Sequence, residues 1–406
     1  MMMQWKKTWG DPSGSASSGA LLRAPYLAPL IMGAMAIVAM CISTLARAEF
    51  LDPLEHPAEM SDHPETRPLL SIANTGEAIV VAGLRGVIAV SEDGESWVQS
   101  ASPVQSDLVA MSFPSASQGW CVGHDGVVLF SDNGGKSWTK KLDGHSAATL
   151  FNGLYVRDES ADESADEDDQ AYGGYDDYGN PVADDTLDPA ERLWRAAVDL
   201  ARLNFRNGPT LPFLDVHFTD TENGILVGAF GLIAVTEDGG ASWQPLLHKL
   251  DNPIGLSLNS VTHTGTRWLA AGERGHVFVE DPSTGQFISV DTGYEGSFFK
   301  AMTTNGHVLV AGMRGTAYVS SDEGMSWSRI NLPTEASING AATMKDGRIL
   351  LADDAGTILI GRPDTDFRVL TTLRNERVTG LLPDAETGQV LVTTLNGIRR
   401  VDLQAL

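Results

Sequence analysis

Cysteine is nearly absent from this chain: Cys41 and Cys121 are the only two in 406 residues. A disulfide framework and a thiolate zinc site are both excluded by that scarcity. Basic charge is also short, with 28 Lys and Arg against 53 Asp and Glu and a formal charge of −25. Phosphate backbones would be repelled, so nucleic acid is not an expected partner. No Ser-His-Asp arrangement, metal-ligand pair or phosphate-cradling glycine loop appears, which leaves no catalytic residue, metal or cofactor to expect. Long apolar runs are confined to the beginning, where Lys6, Lys7 and Arg23 precede a run from Tyr26 to Leu45 and then Ala46-Arg47-Ala48. Residues 1–48 therefore read as an export signal for a periplasmic protein, with an uncleaved membrane anchor as the alternative. Met40 is larger than the small residue that lipid attachment at Cys41 would want. Cleavage would leave Cys121 alone.

Glycine, in contrast, is abundant, with 42 copies. A strand, a tip residue and a closing glycine recur as VAGLRG, CVGHDG, VGAFG, AAGERG, VAGMRG, ADDAG and TTLNG, ending at Gly86, Gly126, Gly231, Gly275, Gly315, Gly356 and Gly397. These glycines fall 40 to 44 residues apart, except for one interval of 105. Each unit holds four short apolar runs separated by Asn, Asp and Gly turns, the pattern of an antiparallel meander. A four-stranded sheet cannot bury both faces alone, and a period near forty packs such sheets around an axis. The expected fold is all-β: a seven-bladed β-propeller of four-stranded antiparallel blades over residues 67–406, with one helix-containing insertion. The last unit looks one strand short, and residues 49–66 are expected to close it by supplying the outer strand.

A second repeat follows the third strand of several units: SEDGESW with Asp93 and Trp97, SDNGGKSW with Asn133 and Trp138, TEDGGASW with Asp238 and Trp243, and SSDEGMSW with Asp322 and Trp327. An Asp or Asn side chain can bond turn amides, Gly supplies positive φ, and Trp packs its ring beneath. The stretch resembles the Asp-box, or BNR, repeat, and these eight residues are expected to close hairpins. The combined pattern over residues 67–406 resembles the photosystem II stability and assembly factor family of exported seven-bladed propellers. That resemblance implies a non-enzymatic helper for a membrane complex, with an arginine-rich patch that meets the client at Arg85, Arg274 and Arg314.

Alternate turns of an antiparallel blade lie at opposite ends, so all seven tip residues share one face. Arginine gains nothing from hairpin chemistry that favours Asn-Gly, and three arginines at equivalent tips suggest a patch for carboxylates. The long interval emerges on the same face as an insertion over 152–209. Its first half holds eight acids between Asp158 and Asp169, a solvated loop by composition. Its second half reads as a helix capped by Asp188, with Pro189 in the first turn, Glu191 completing a capping box and Asn207-Gly208-Pro209 as the stop. Trp194, Ala197, Val198, Ala201 and Phe205 line one side, and Arg192, Arg195, Arg202 and Arg206 another. Such a helix either docks on its own propeller or takes a partner through Trp194, Arg195 and Arg202. A sialidase-like glycoside hydrolase or acidic-glycan-binding protein is the competing class, but the Phe/Tyr-Arg-Ile-Pro segment is missing and Tyr172, Tyr175 and Tyr178 all sit in the insertion. The expected function is an exported, monomeric, non-catalytic accessory factor for a membrane protein complex or transporter.

Overall fold

In blade one, Leu69–Asn74, Ile79–Gly83, Ile88–Ser91 and Val98–Gln99 pair antiparallel in chain order. The same order recurs at 108–142, 213–245, 258–291, 298–330 and 338–372, and a three-stranded sheet at 378–402 makes the seventh. The computed structural model describes residues 52–156, 172–175, 181–183, 186–206, 208, 210–363, 365–384 and 387–403. The signal read over 1–48 lies outside them. Residues 52–406 form a compact unit of their own.

The first strand of every blade is innermost, each packing beside the first strand of its neighbours. Each of these strands carries a β-bulge after its first pairing residue: between Leu69 and Ser71, Leu108 and Ala110, Phe213 and Asp215, Leu258 and Ser260, Phe298 and Lys300, Ile338 and Gly340, and Val378 and Gly380. A bulge leaves one residue outside the ladder and turns its side chain aside. The residues so released line an axial cavity of about 280 Å³. One comes from each blade: Leu70, Val109, Leu214, Asn259, Phe299, Asn339 and Thr379. Seven sheets and one shared axis confirm the expected ring.

Burial between blades supplies the stability. Trp120 of blade two is 1% exposed; its ring stacks on Phe218 of blade three at 5.2 Å and meets Trp243 edge-on at 5.8 Å. An Asp-box glycine lies on the second strand of the preceding blade in blades two, three and five: Gly135 on Val80, Gly240 on Trp120, Gly324 on Leu269. A side chain at Gly240 would collide with the Trp120 indole. The Asp-box hairpin is therefore also a clasp between blades.

The ring closes differently from the sequence expectation. No fourth strand pairs with 378–402 among the described residues. The Asp-box of blade one instead packs Gly94 on Leu391 of blade seven, Arg400 donates to the Gly94 carbonyl, and Thr379 Oγ1 donates to the Leu69 carbonyl at 2.7 Å. The early part of the leading segment runs along blades one and two, where Ala58 N donates to Ser102 O at 3.1 Å and Gln105 N to Pro53 O at 2.7 Å, and Glu65 and Thr66 then lie against Gly397 of blade seven without pairing as a strand. Its apolar residues decide this: Leu54 is buried in the cluster around Val80, Val104 and Leu129, and Ala58 is buried beside Gly86.

The insertion begins earlier than expected. A helix, α1, spans Gly144–Tyr155 directly after blade two, opened by a capping box between Asp143 and Ser146. The expected helix, α2, spans Pro189–Phe205; the Asp188 side chain caps it by accepting from Ala190 N at 2.9 Å. Glu191 does not complete a capping box but pairs with Arg195 one turn on, at 2.6 Å. Between the helices, Tyr172–Tyr175 and Pro181–Ala183 pair as a small hairpin. The acidic run lies outside the described residues.

Candidate partner-binding face

Every tip residue sits in the turn from the second to the third strand, so one end of the ring carries all seven. The backbone there is strained: Arg85, Asp125, Phe230, Arg274 and Arg314 have φ between 52° and 57°. Left-handed backbone is uncommon for residues other than Gly, Asn and Asp. The turn is imposed by its surroundings. A side chain at Gly83 would strike the Pro68 carbonyl and one at Gly86 the Val104 carbonyl, so strand end and turn are pressed against the neighbouring loops. The Arg85 amide is held by Asp107 Oδ1 at 2.8 Å.

All three arginine side chains are exposed. Arg85 approaches Glu59 at 4.0 Å, and among the described residues neither Arg274 nor Arg314 has a carboxylate within ion-pair reach. Arg274 and Arg314 occupy adjacent blades, four and five, while Arg85 stands in blade one with blades six and seven intervening. The patch is thus a pair plus an outlier rather than one cluster.

α2 docks on its own propeller. Ala197, Leu200 and Ala201 are buried in one core with Phe213, Val216 and Leu256. Trp194 is 40% exposed and leans on Tyr155 at 5.4 Å and His248 at 5.1 Å. Tyr155 hydroxyl and His248 Nδ1 are 2.7 Å apart; burial pushes the tyrosine pKa up and the histidine pKa down. Of the three insertion residues named from sequence, Arg195 is engaged by Glu191, Trp194 is half-occupied, and Arg202 is exposed. Sequence reasoning placed Phe230 among the tips and missed Leu200 and all of α1. The α1 signal was present as Ala147, Phe151 and Tyr155 four residues apart, all three buried.

The Asp-boxes show hairpin geometry throughout. Asp93 Oδ1 accepts from the amides of Ser96 and Glu95, each at 2.7 Å, and from Ser91 Oγ at 2.9 Å. These donors hold its carboxyl well below the usual range. Ser242 Oγ and Ser326 Oγ do the same for Asp238 and Asp322, each at 2.6 Å. Asn133 fills this place in blade two, accepting from Ser137 N at 3.0 Å. A neutral amide can thus take the acceptor role, so the turn geometry does not require a carboxylate. The indole N–H of Trp97, Trp138 and Trp327 donates back to Gly94, Gly135 and Gly324. Among the described residues, no three His, Cys, Asp or Glu side chains gather as a metal site.

At the opposite end, turns of blades six, seven and one enclose a cavity of about 610 Å³ bordered by Glu77, Glu92, Asp93, Asp346 and Arg348. Arg348 is engaged by Asp346 at 2.7 Å.

Ring and clasps define an Asp-box β-propeller. A family model described as photosynthesis system II assembly factor YCF48 matches residues 202–350, which include Arg274, Arg314 and two of the Asp-boxes. The photosystem II assembly lipoprotein Ycf48 of Synechococcus sp. (strain CC9902) is 31% identical over 134 residues, covering 32% of this chain and 38% of that relative. A solved structure of YCF48 bound to D1 peptide is 13% identical, with TM-score 0.53 over 84% of this chain and 94% of that one. YCF48 from Cyanidioschyzon merolae is 14% identical, with TM-score 0.54 over 84% and 97%. The WD40 propeller domain of Doa1, 10% identical, also scores 0.54, over 86% and 95%. The structural likenesses show the fold alone. The chain is therefore a seven-bladed propeller whose middle part is similar in sequence to photosystem II assembly factors, and it spans well under half of the curated relative it matches.

Proposed function

We propose that this chain is exported to the periplasm and acts as a non-catalytic assembly, stability or accessory factor for a membrane protein complex. It holds that partner through the arginine-bearing face and the insertion. The observation that carries this reading is the tip arginines themselves. A left-handed tip costs an arginine about 1 kcal/mol that Asn or Gly would avoid, and no intramolecular partner among the described residues repays Arg274 or Arg314. Unpaired guanidinium groups on a protein of charge −25 suit carboxylates presented by a partner. The sequence match to a relative named as a photosystem II assembly lipoprotein supports the same class, and YCF48 bound to D1 peptide shows one propeller of this fold holding a photosystem II peptide. No helix among the described residues is long and apolar enough to cross a membrane.

The test is co-purification. A tagged chain is recovered from membranes as wild type and with Arg85, Arg274 and Arg314 all changed to Glu. Loss of the co-purifying complex is the expected result, and full retention removes the arginines from the interface. Turnover of a sialoside that the same changes abolish would favour the glycosidase class instead.

A further inference from the structure

The tip of blade three carries phenylalanine where four of its six equivalents, Arg85, Asp125, Arg274 and Arg314, carry charge. Phe230 is 52% exposed in a left-handed conformation, so this aromatic side chain is both strained and wet. Two more apolar residues stand beside it. Leu203, near the end of α2, is 56% exposed, and its neighbour Asn204 donates to the Phe230 carbonyl at 3.2 Å. Ile254 is 36% exposed on the following loop, where Gly255 lies against Leu200 and the Phe230 carbonyl. Cations flank the trio. Arg202 and Arg206 are exposed on α2. Arg274 follows through a short chain of bonds, Phe230 N to Ser257 Oγ at 3.3 Å and Ser257 N to Glu273 Oε2 at 3.0 Å. Glu273 is thereby committed to the backbone, and on α2 itself Asp199 stands one turn before Arg202.

We propose that Phe230, Leu203 and Ile254, ringed by Arg202, Arg206 and Arg274, form a contact patch for an anionic lipid bilayer. An apolar centre with a cationic rim is the surface that enters a headgroup layer, the side chains reaching the acyl boundary while guanidinium groups meet lipid phosphate. Arg274 and α2 belong also to the face proposed for the client, and vesicles free of protein separate the two ideas.

The chain from residue 49 is floated with phosphatidylcholine vesicles, with and without phosphatidylglycerol. Binding is expected only with the anionic lipid and weakens with salt. Phe230→Asn with Leu203→Ser should reduce it by about ten-fold or more, the loss of two half-buried apolar groups. Arg202→Gln and Arg206→Gln should each cost about five-fold. Phe230→Asn alone should melt no lower than wild type, because asparagine accepts the left-handed turn, so a binding loss cannot be put down to unfolding. Equal binding to neutral vesicles, no binding at all, or unchanged binding by the variants overturns the proposal. Loss of the co-purifying membrane complex in Phe230→Asn without any vesicle binding would assign the patch to a protein.

Discussion

If the clasp between blades is as described, Trp120 and Gly240 must be energetically coupled. Trp120→Ala removes a fully buried indole that touches Phe130, Phe218 and Trp243, and a truncation of this kind costs about 3–5 kcal/mol. Against a total stability of about 5–15 kcal/mol that is severe. Gly240→Ala is costly for two reasons. Its φ of 71° disfavours any side chain, and the new Cβ would fall on the Trp120 ring. The first effect is about 1 kcal/mol; overpacking adds about 1–3 kcal/mol. In the Trp120→Ala background the ring is gone and the overpacking vanishes, leaving only the backbone cost. A double-mutant cycle by urea unfolding should therefore show favourable coupling of about 1–3 kcal/mol, with both single variants less stable than wild type. Additivity within about 0.5 kcal/mol would refute the packing of blade three's Asp-box on blade two.

Replacing Arg85, Arg274 and Arg314 by Asn should raise stability by about 0.5–1 kcal/mol each, since Asn tolerates left-handed backbone, while co-purification of the membrane complex falls; calorimetry and pull-down read the two effects separately. Tyr155→Phe leaves His248 Nδ1 and the Pro245 carbonyl without their hydroxyl partner, costs about 1–3 kcal/mol, and should speed amide exchange in α1 ahead of the blades. Acid should act through the Asp-boxes. Their depressed carboxyl pKa values mean a contribution fully present above the ordinary carboxylate range and lost as pH falls through the folded values. The urea midpoint should stay flat from pH 7 to about 5 and then decline, and Asp322→Asn should reduce that slope because Asn133 already fills the equivalent place in blade two.

The ring was readable because its signal repeats. Seven closing glycines mark seven strand-to-strand turns; at six of them a side chain would collide with backbone, and at Gly231 with the Asn252 side chain. Tip positions, Asp-box roles and the α2 cap followed from local rules of the same kind. α1 stayed hidden because Asp143-Gly144-His145-Ser146 has the composition of a turn, and only the burial of Ala147, Phe151 and Tyr155 against blade three reveals a helix. The axial lining was invisible for another reason. A bulge shifts one residue out of strict alternation, and Leu70 or Asn339 looks like any other strand residue until the register is known. On the docked face of α2, Leu200 rather than Val198 is buried with Ala197 and Ala201, a choice set by the angle at which the helix meets blade three. Closure depended on tertiary burial of Leu54 and Ala58, which no local pattern encodes.

That mode of closure bears on how the molecule is made. Blade seven borrows no strand from the leading segment among the described residues, so no sheet must wait for the distant end of the polypeptide. Each can be finished as its own residues leave the ribosome, first to last. What remains for the final step is a side-chain latch, Arg400 and Leu391 against the Gly94 hairpin. The last event of biogenesis is then a docking of two completed surfaces.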